Sequence, residues 1–160
     1  MKNTFGQSVT VSIFGESHGA QIGAVLDGMA PGVKVDEDYI KSRLELRRAI
    51  GKISTARKEE DLFTICSGVF NGYTTGTPIC ILIPNTNTQS KDYAATRALA
   101  RPAHADYTAF CKYHGFEDYR GGGHFSGRLT APLVAAGAIA QSALKSKGIR
   151  IATHIKKCAG

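Results

Sequence analysis

The run from Thr130 to Lys147, TAPLVAAGAIAQSALKSK, restricts the fold more than any other stretch of this chain. Its spacing predicts one helix, and its middle, PLVAAGAIAQSAL, is apolar nearly all the way round. A helix lying at a surface needs only one apolar stripe, whereas one apolar on every side belongs in the interior. Lys145 and Lys147 fall in its final turn and Gly148 supplies the stop.

The segments expected to pack around this helix are short strands and two further helices. Val9, Val11 and Ile13 alternate with polar residues, which reads as a half-buried strand, and Gln21 to Asp27 reads as a second. Gly28-Met29-Ala30-Pro31-Gly32 is a turn. Asp36 then looks like the N-cap of a helix in which Tyr39, Ile40 and Leu44 recur at helical spacing. Residues 62–70 and 77–84 are strand-like, and the Asn71–Gly76 loop between them predicts a hairpin. Residues 85–101 form a long polar loop, and loops of that length in compact domains are usually functional or disordered. His104 to His114 predicts a helix ending at Gly115, and His154 falls in an expected C-terminal strand. Strands and helices do not alternate as βαβ units, so the expected class is α+β, helices packed on an antiparallel sheet. Residues 1–160 are expected to form a single domain, since the length favours one core over two.

Charge and cysteine usage narrow the function. Lysine and arginine number 20 against 13 acidic residues, a net charge of +7, which suits phosphate-bearing partners. Nucleic acid would fit that charge, but no helix-turn-helix, RRM or zinc-finger pattern is present and the basic residues are not interleaved with stacking aromatics. No apolar run approaches the ~20 residues needed to span a bilayer, and the N-terminus leads into no apolar signal core. Cys66, Cys80, Cys111 and Cys158 form no CxxC pair, and there is no HxH or HExxH. The expectation is reduced thiols in a cytoplasmic protein with no metal, no membrane and no nucleic-acid partner.

Four stretches carry chemistry. FGESHGA, Phe14 to Ala20, presents His18 in a turn, and imidazole alone titrates near neutrality without perturbation. RPAHAD places His104 three residues after Arg101 and two before Asp106. An acid–base histidine needs such partners, although taken alone the stretch reads more simply as a solvated helix start. YRGGGHFSGR has three glycines that let backbone N–H groups approach an anion, followed by His124, Ser126 and Arg128 as donors. It is not a Walker or dinucleotide-binding pattern. RRAIGKISTARKEED carries Arg47, Arg48, Lys52, Arg57 and Lys58; such a run is most often a solvated face, which Glu59, Glu60 and Asp61 favour, though arginines so placed also grip a phosphomonoester.

Read in order, these stretches resemble chorismate synthase. The matching residues are FGQS (5–8), FGESHG (14–19), DGMAPG (27–32), RR (47–48), TARKEED (55–61), SGVFNGYTTGTPI (67–79), RPAHADYT (101–108), DYRGGGHFSGR (118–128) and VAAGAIA (134–140). The resemblance implies a reaction, the 1,4-anti elimination of phosphate from 5-enolpyruvylshikimate 3-phosphate to give chorismate, with reduced FMN required despite no net redox change. It implies His18 as the acid for the departing phosphate and His104 beside the flavin. Arg47, Arg48, Arg57, Arg101 and Arg128 would clamp substrate phosphate and carboxylates, and His124, Phe125 and Ser126 would contact the flavin. Bifunctional members also reduce the flavin themselves, with NADP as the associated cofactor. The implied fold is roughly the first half of a sandwich of helices between antiparallel sheets, assembled as a homotetramer. Three local departures accompany the likeness: Ala103 stands where glycine is usual, RRAIG lacks a proline, and GGGHFSGR replaces GGGRSSAR. Family members also run to more than twice this length.

Overall fold

A computed structural model describes residues 2–48, 60–86, 93 and 98–158. Five antiparallel strands form the main sheet. β1 (Thr4–Gly6), β2 (Thr10–Gly15) and β3 (Gln21–Asp27) follow one another, and α1 (Glu37–Arg47) comes next. β4 (Thr64–Ile65) and β7 (Ile79–Pro84) complete the sheet in the order β1-β2-β3-β7-β4. Between them β5 (Val69–Phe70) and β6 (Tyr73–Thr74) form a separate two-stranded sheet. α2 (Asp106–Tyr113) and α3 (Thr130–Ser146) finish the chain.

The apolar helix sits where its composition requires. α3 lies across β2, β3 and β7 on one side and meets α1 on another. Ile22, Ala24 and Leu26 of β3 and Ile79, Ile81 and Ile83 of β7 point at it, all at most 1% exposed. Fully burying each isoleucine or leucine contributes about 1.5–3 kcal/mol. The buried surface of α3 is Ala131, Pro132, Ala135, Ala136, Ala138 and Ile139, and four alanines among these six let the helix approach the sheet closely. Ile40 and Leu44 of α1 cover the far side, where the Tyr39 hydroxyl donates to Gln141 Oε1 at 2.8 Å. The N-cap of α1 is Asp36, whose carboxylate accepts from the Tyr39 amide at 2.9 Å.

The strand expected over 62–70 divides in two. Gly68 adopts φ +77°, and a Cβ there would stand 2.6 Å from Ile79 Cγ1 and 2.7 Å from the Pro78 carbonyl. The backbone therefore crosses close to β7 and leaves the main sheet, so β4 pairs with β7 while β5 turns back on β6. Asn71 and Gly72, both at positive φ, make the two-residue turn of that small hairpin. The hairpin grips the run between β3 and α1. Gly32 N donates to Thr74 O, Thr74 N to Val33 O and Val35 N to Gly72 O, while the buried Thr74 hydroxyl bonds Ala30 O and Val33 N.

Two boundaries also move. α2 starts at Asp106, not His104, because the Asp106 carboxylate is held by Arg101 and His104 instead of capping amides. It ends with His114 in the left-handed conformation (φ 58°), ahead of Gly115. His154 lies outside any strand, with residues 151–158 exposed.

Candidate functional site

The β2–β3 turn carries the first histidine. The Gly19 amide donates to Glu16 O at 3.0 Å and closes the turn. Ser17 is 1% exposed, its amide donates to Gly123 O at 3.0 Å, and its hydroxyl lies 2.9 Å from His18 Nδ1. The same hydroxyl reaches Arg120 O and the Gly122 amide, each at 3.4 Å. His18 is half-buried and its ring meets the edge of Tyr93 at 5.2 Å.

The glycine-rich loop packs against that turn. Gly121 has φ +64°, and a Cβ on it would fall 2.5 Å from His18 Cε1 and 2.6 Å from Ser17 Oγ. Glycine is required here both by backbone conformation and by the imidazole lying on it. The Gly122 amide reaches Ser17 and the Gly123 amide donates to Arg120 O, so two of the three glycine N–H groups expected to face an anion serve the turn instead. Two short 3₁₀ turns, Gly123–Phe125 and Gly127–Leu129, lead into α3. His124 Nδ1 lies 2.9 Å from Gly15 O, which can only accept, so Nδ1 carries the proton. Arg120 pairs with Asp118 at 2.6 Å, and that guanidinium holds the Asp118 carboxyl below its ordinary range.

The second histidine is oriented by a carboxylate. His104 Nδ1 lies 2.7 Å from Asp106 Oδ1, and Arg101 forms two bonds of 2.8 Å to the same carboxylate. Arg101 Nη2 also stands 3.3 Å from His104 Nδ1, but both would be donors, so the shorter contact to Asp106 fixes the proton on Nδ1. Hydrogen bonds from Arg101 hold the Asp106 carboxyl well below the usual carboxylate range. Arg101 further donates to Gly121 O at 2.6 Å and its guanidinium lies 5.7 Å from the Tyr93 ring centre. His18 and His104 are thus joined through Gly121, Arg101 and Asp106.

A buried ionic chain supports the first turn from behind. Asp61, its side chain 1% exposed, accepts from Arg47 at 2.6 Å and from Arg128. Arg128 donates its Nε to Asn85 Oδ1 at 3.0 Å and an Nη2 hydrogen to Pro84 O at 3.1 Å. Asn85 Nδ2 then donates to Glu16 O at 3.0 Å and Gly19 O at 2.8 Å, the two carbonyls flanking Ser17 and His18. The Asn85 amide also donates to Ala20 O. Arg47 and Arg128 were expected to clamp substrate; here their guanidiniums are directed at Asp61, and Arg128 is 6% exposed. Arg48 reaches Glu60 O, and Arg57 lies outside the described residues. Asp61 and Asn85 carry no local sequence signal for this role, beyond Asp61 being the final residue of TARKEED.

A cleft of about 980 Å³ opens beside these groups, lined by Gly15, Glu16, Tyr93, Arg101, Asp106, Tyr113, His124 and Phe125 among others. The Phe125 and Tyr113 rings lie 6.0 Å apart, and the Lys112 ammonium stands 4.9 Å from Tyr113 and 5.6 Å from Phe125. Of the expected flavin contacts, His124 and Phe125 line the cleft while Ser126 caps the second 3₁₀ turn, accepting from the Arg128 amide at 3.2 Å. Neither His18 nor His104 is among its lining residues, although their neighbours Glu16, Arg101 and Asp106 are. Among the described residues no group of three or more His, Cys, Asp or Glu side chains could hold a metal, and no helix is long and apolar enough to cross a membrane.

The family model for chorismate synthase matches residues 9–160. The chain belongs to the chorismate synthase family. A chorismate synthase of Chitinophaga pinensis is 53% identical over 158 residues, covering 99% of this chain and 47% of that protein. One of Pyrococcus abyssi is 49% identical over 152 residues, covering 95% and 43%. A crystal structure of chorismate synthase superimposes with a TM-score of 0.63 at 29% identity, covering 89% of this chain and 35% of the other. The chain therefore spans less than half the length of the curated relatives it matches. The α+β architecture, an antiparallel sheet packed by helices, agrees with that family.

Proposed function

We propose that these residues form one wall of a chorismate synthase site, where 5-enolpyruvylshikimate 3-phosphate loses phosphate and a ring proton by 1,4-anti elimination to give chorismate. The observation that supports this reading is the connection between the family's two histidine stretches, ESHG and HAD, through Gly121 and the Arg101–Asp106 pair. The cofactor implied is reduced FMN, which would supply reversible electron donation to the allylic substrate. The cleft suits a flat group, since Phe110, Tyr113 and Phe125 are among its lining residues and Arg101 stands on the same wall. Phe125 and His124 would hold such a group, with Arg101 as a nearby cation.

His18 is assigned as the acid for the departing phosphate. In the imidazolium, Nδ1–H donates to Ser17 Oγ, and the Ser17 hydroxyl in turn donates to Arg120 O. That relay fixes the orientation of the imidazole through its Nδ1 edge. General-acid help of this kind is typically worth ~10²–10⁴-fold. His104, its Nδ1–H held by Asp106, is assigned to proton exchange beside the flavin, because that bond fixes the orientation of the ring. Arg47 and Arg128 act in this scheme as positioning residues, through Asp61 and Asn85.

The test is an anaerobic assay with reduced FMN and the enolpyruvyl substrate, following chorismate absorbance and released phosphate. His18→Ala and His104→Ala are expected to slow turnover while flavin binding, read from its difference spectrum, persists. A second reading, flavin and phosphate binding without turnover, is supported by the coverage of less than half of each relative. Retained flavin with no chorismate from the unsubstituted chain selects it, and absence of both overturns the family-based proposal.

A further inference from the structure

Cys66 and Cys80 are fourteen residues apart in sequence and opposite one another in space. The β4–β7 register pairs Thr64 with Leu82 and Ile65 with Ile81, so the next opposed pair is Cys66 and Cys80. The Cys66 amide donates to Cys80 O at 2.8 Å and confirms that register. Because side chains alternate along strands, both thiols project from the face opposite Ile81, away from the α3 core. Burial, together with the neighbouring Cys66, pushes the Cys80 thiol up.

From this juxtaposition we infer that Cys66 and Cys80 form a dithiol site that takes low-molecular-weight disulfides and closes into a cross-strand disulfide. Opposed strand residues have Cβ atoms about 4.5–5.5 Å apart, and a disulfide asks for about 3.5–4.5 Å, so closure needs an approach of about an ångström. The pair is loose enough to give it. The Cys80 amide donates to Ser67 Oγ at 3.1 Å and not to a Cys66 carbonyl, so a side chain supplies half of the ladder there. The strand then ends, since Gly68 turns the backbone away.

Exposure sets the order of steps. Cys66 is exposed and Cys80 half-buried, so the Cys66 thiolate attacks one sulfur of a disulfide RSSR, giving Cys66–S–S–R and expelling RS⁻. The Cys80 thiolate then attacks the Cys66 sulfur and expels the second RS⁻. Two protein thiols are oxidised and one RSSR becomes two RSH. The new ring encloses the β5–β6 hairpin and ties β4, which follows Asp61, to β7, which runs into Asn85. Cys111, on α2, and Cys158, near the C-terminus, lie on other segments.

Oxidised glutathione is the probe. Both cysteines fall within one tryptic peptide, residues 59–91, so closure appears as the loss of two hydrogens from that peptide with no glutathione attached. The oxidised chain is expected to melt higher than the reduced one by roughly 5–10 °C, the effect of closing a loop of this length. Cys66→Ser and Cys80→Ser should each abolish the closed peptide, and Cys80→Ser should instead trap glutathione on Cys66. The inference is overturned if the unsubstituted peptide retains glutathione on either thiol without closing. It is equally overturned if the peptide stays a free dithiol while Cys111 and Cys158 become modified.

Discussion

Replacing Asn85 by alanine removes three hydrogen bonds that converge on the His18 turn. Two run from Nδ2 to Glu16 O and Gly19 O, at 3.0 and 2.8 Å, and the third is accepted from Arg128 Nε at 3.0 Å. A neutral bond contributes about 0.5–1.5 kcal/mol net and one to a charged donor about 1.5–3 kcal/mol, which sums to about 2.5–6 kcal/mol. Asn85 is only half-buried, so water recovers part of that, and the expected loss is about 3 kcal/mol. For a chain of this size it lowers the melting temperature by about 6–12 °C. Denaturant unfolding measures the first quantity and calorimetry the second. Asn85→Asp separates the halves of the site: it retains an acceptor for Arg128 but turns a carboxylate oxygen toward two carbonyls. It should therefore release the turn as alanine does. Histidine ¹⁵N spectra read the consequence directly, because a freed turn loosens the Ser17 contact and moves His18 Nδ1 toward its solution shift. A loss below ~0.5 kcal/mol, the scale of an ordinary surface change, refutes the reasoning. A large loss with an unmoved His18 resonance confines Asn85 to stability and removes it from the positioning of the histidine.

Gly121→Ala should destabilise the chain by about 1–3 kcal/mol from backbone strain alone and shift the His18 resonances, since its Cβ would occupy the imidazole's place. Arg128→Met leaves Asp61 buried against a single arginine and should cost about 3–5 kcal/mol in denaturant unfolding. Asp106 gives a pH signature: its folded pKa lies below the ordinary value of 3.8, so its stabilisation is complete above that value and is lost as pH falls through the lower, folded one. Unfolding curves of the unsubstituted chain should lose stability in that acid window, and Asp106→Asn should flatten the loss. An unaltered acid slope in that variant would falsify the Arg101–Asp106 assignment.

The elements with strong periodicity were legible in the sequence. The apolar helix, the Gln21–Asp27 strand, and the helix capped by Asp36 stand where residue spacing places them, because local propensity and packing agree there. The strand expected over 62–70 fails at Gly68, where a close approach to Ile79 outweighs an apolar run that looks continuous. At the site, the histidines and glycines announced themselves by composition, but the direction of the arginines did not. Arg128 and Asp61 are 67 residues apart, and nothing local marks a cation that turns inward toward a distant carboxylate. The YRGGGHFSGR glycines show the same limit: small size signals close approach, and only the fold reveals that the partner is an imidazole.

The clip between the β5–β6 hairpin and residues 30–35 carries a consequence for the order of folding. The path of the chain into α1 is fixed by Thr74 and Gly72, residues made some forty positions later. β3 likewise waits for β7 as its neighbour, across an excursion of more than fifty residues. The early hairpin of β2 and β3 can form from near-neighbour contacts, whereas α1 packs on α3 and must wait for Thr130–Ser146. Such non-local closure slows folding. During synthesis, the first third of this chain should emerge as a hairpin with a trailing, undocked helix; β7 then completes the sheet, and α1 docks only when α3 arrives.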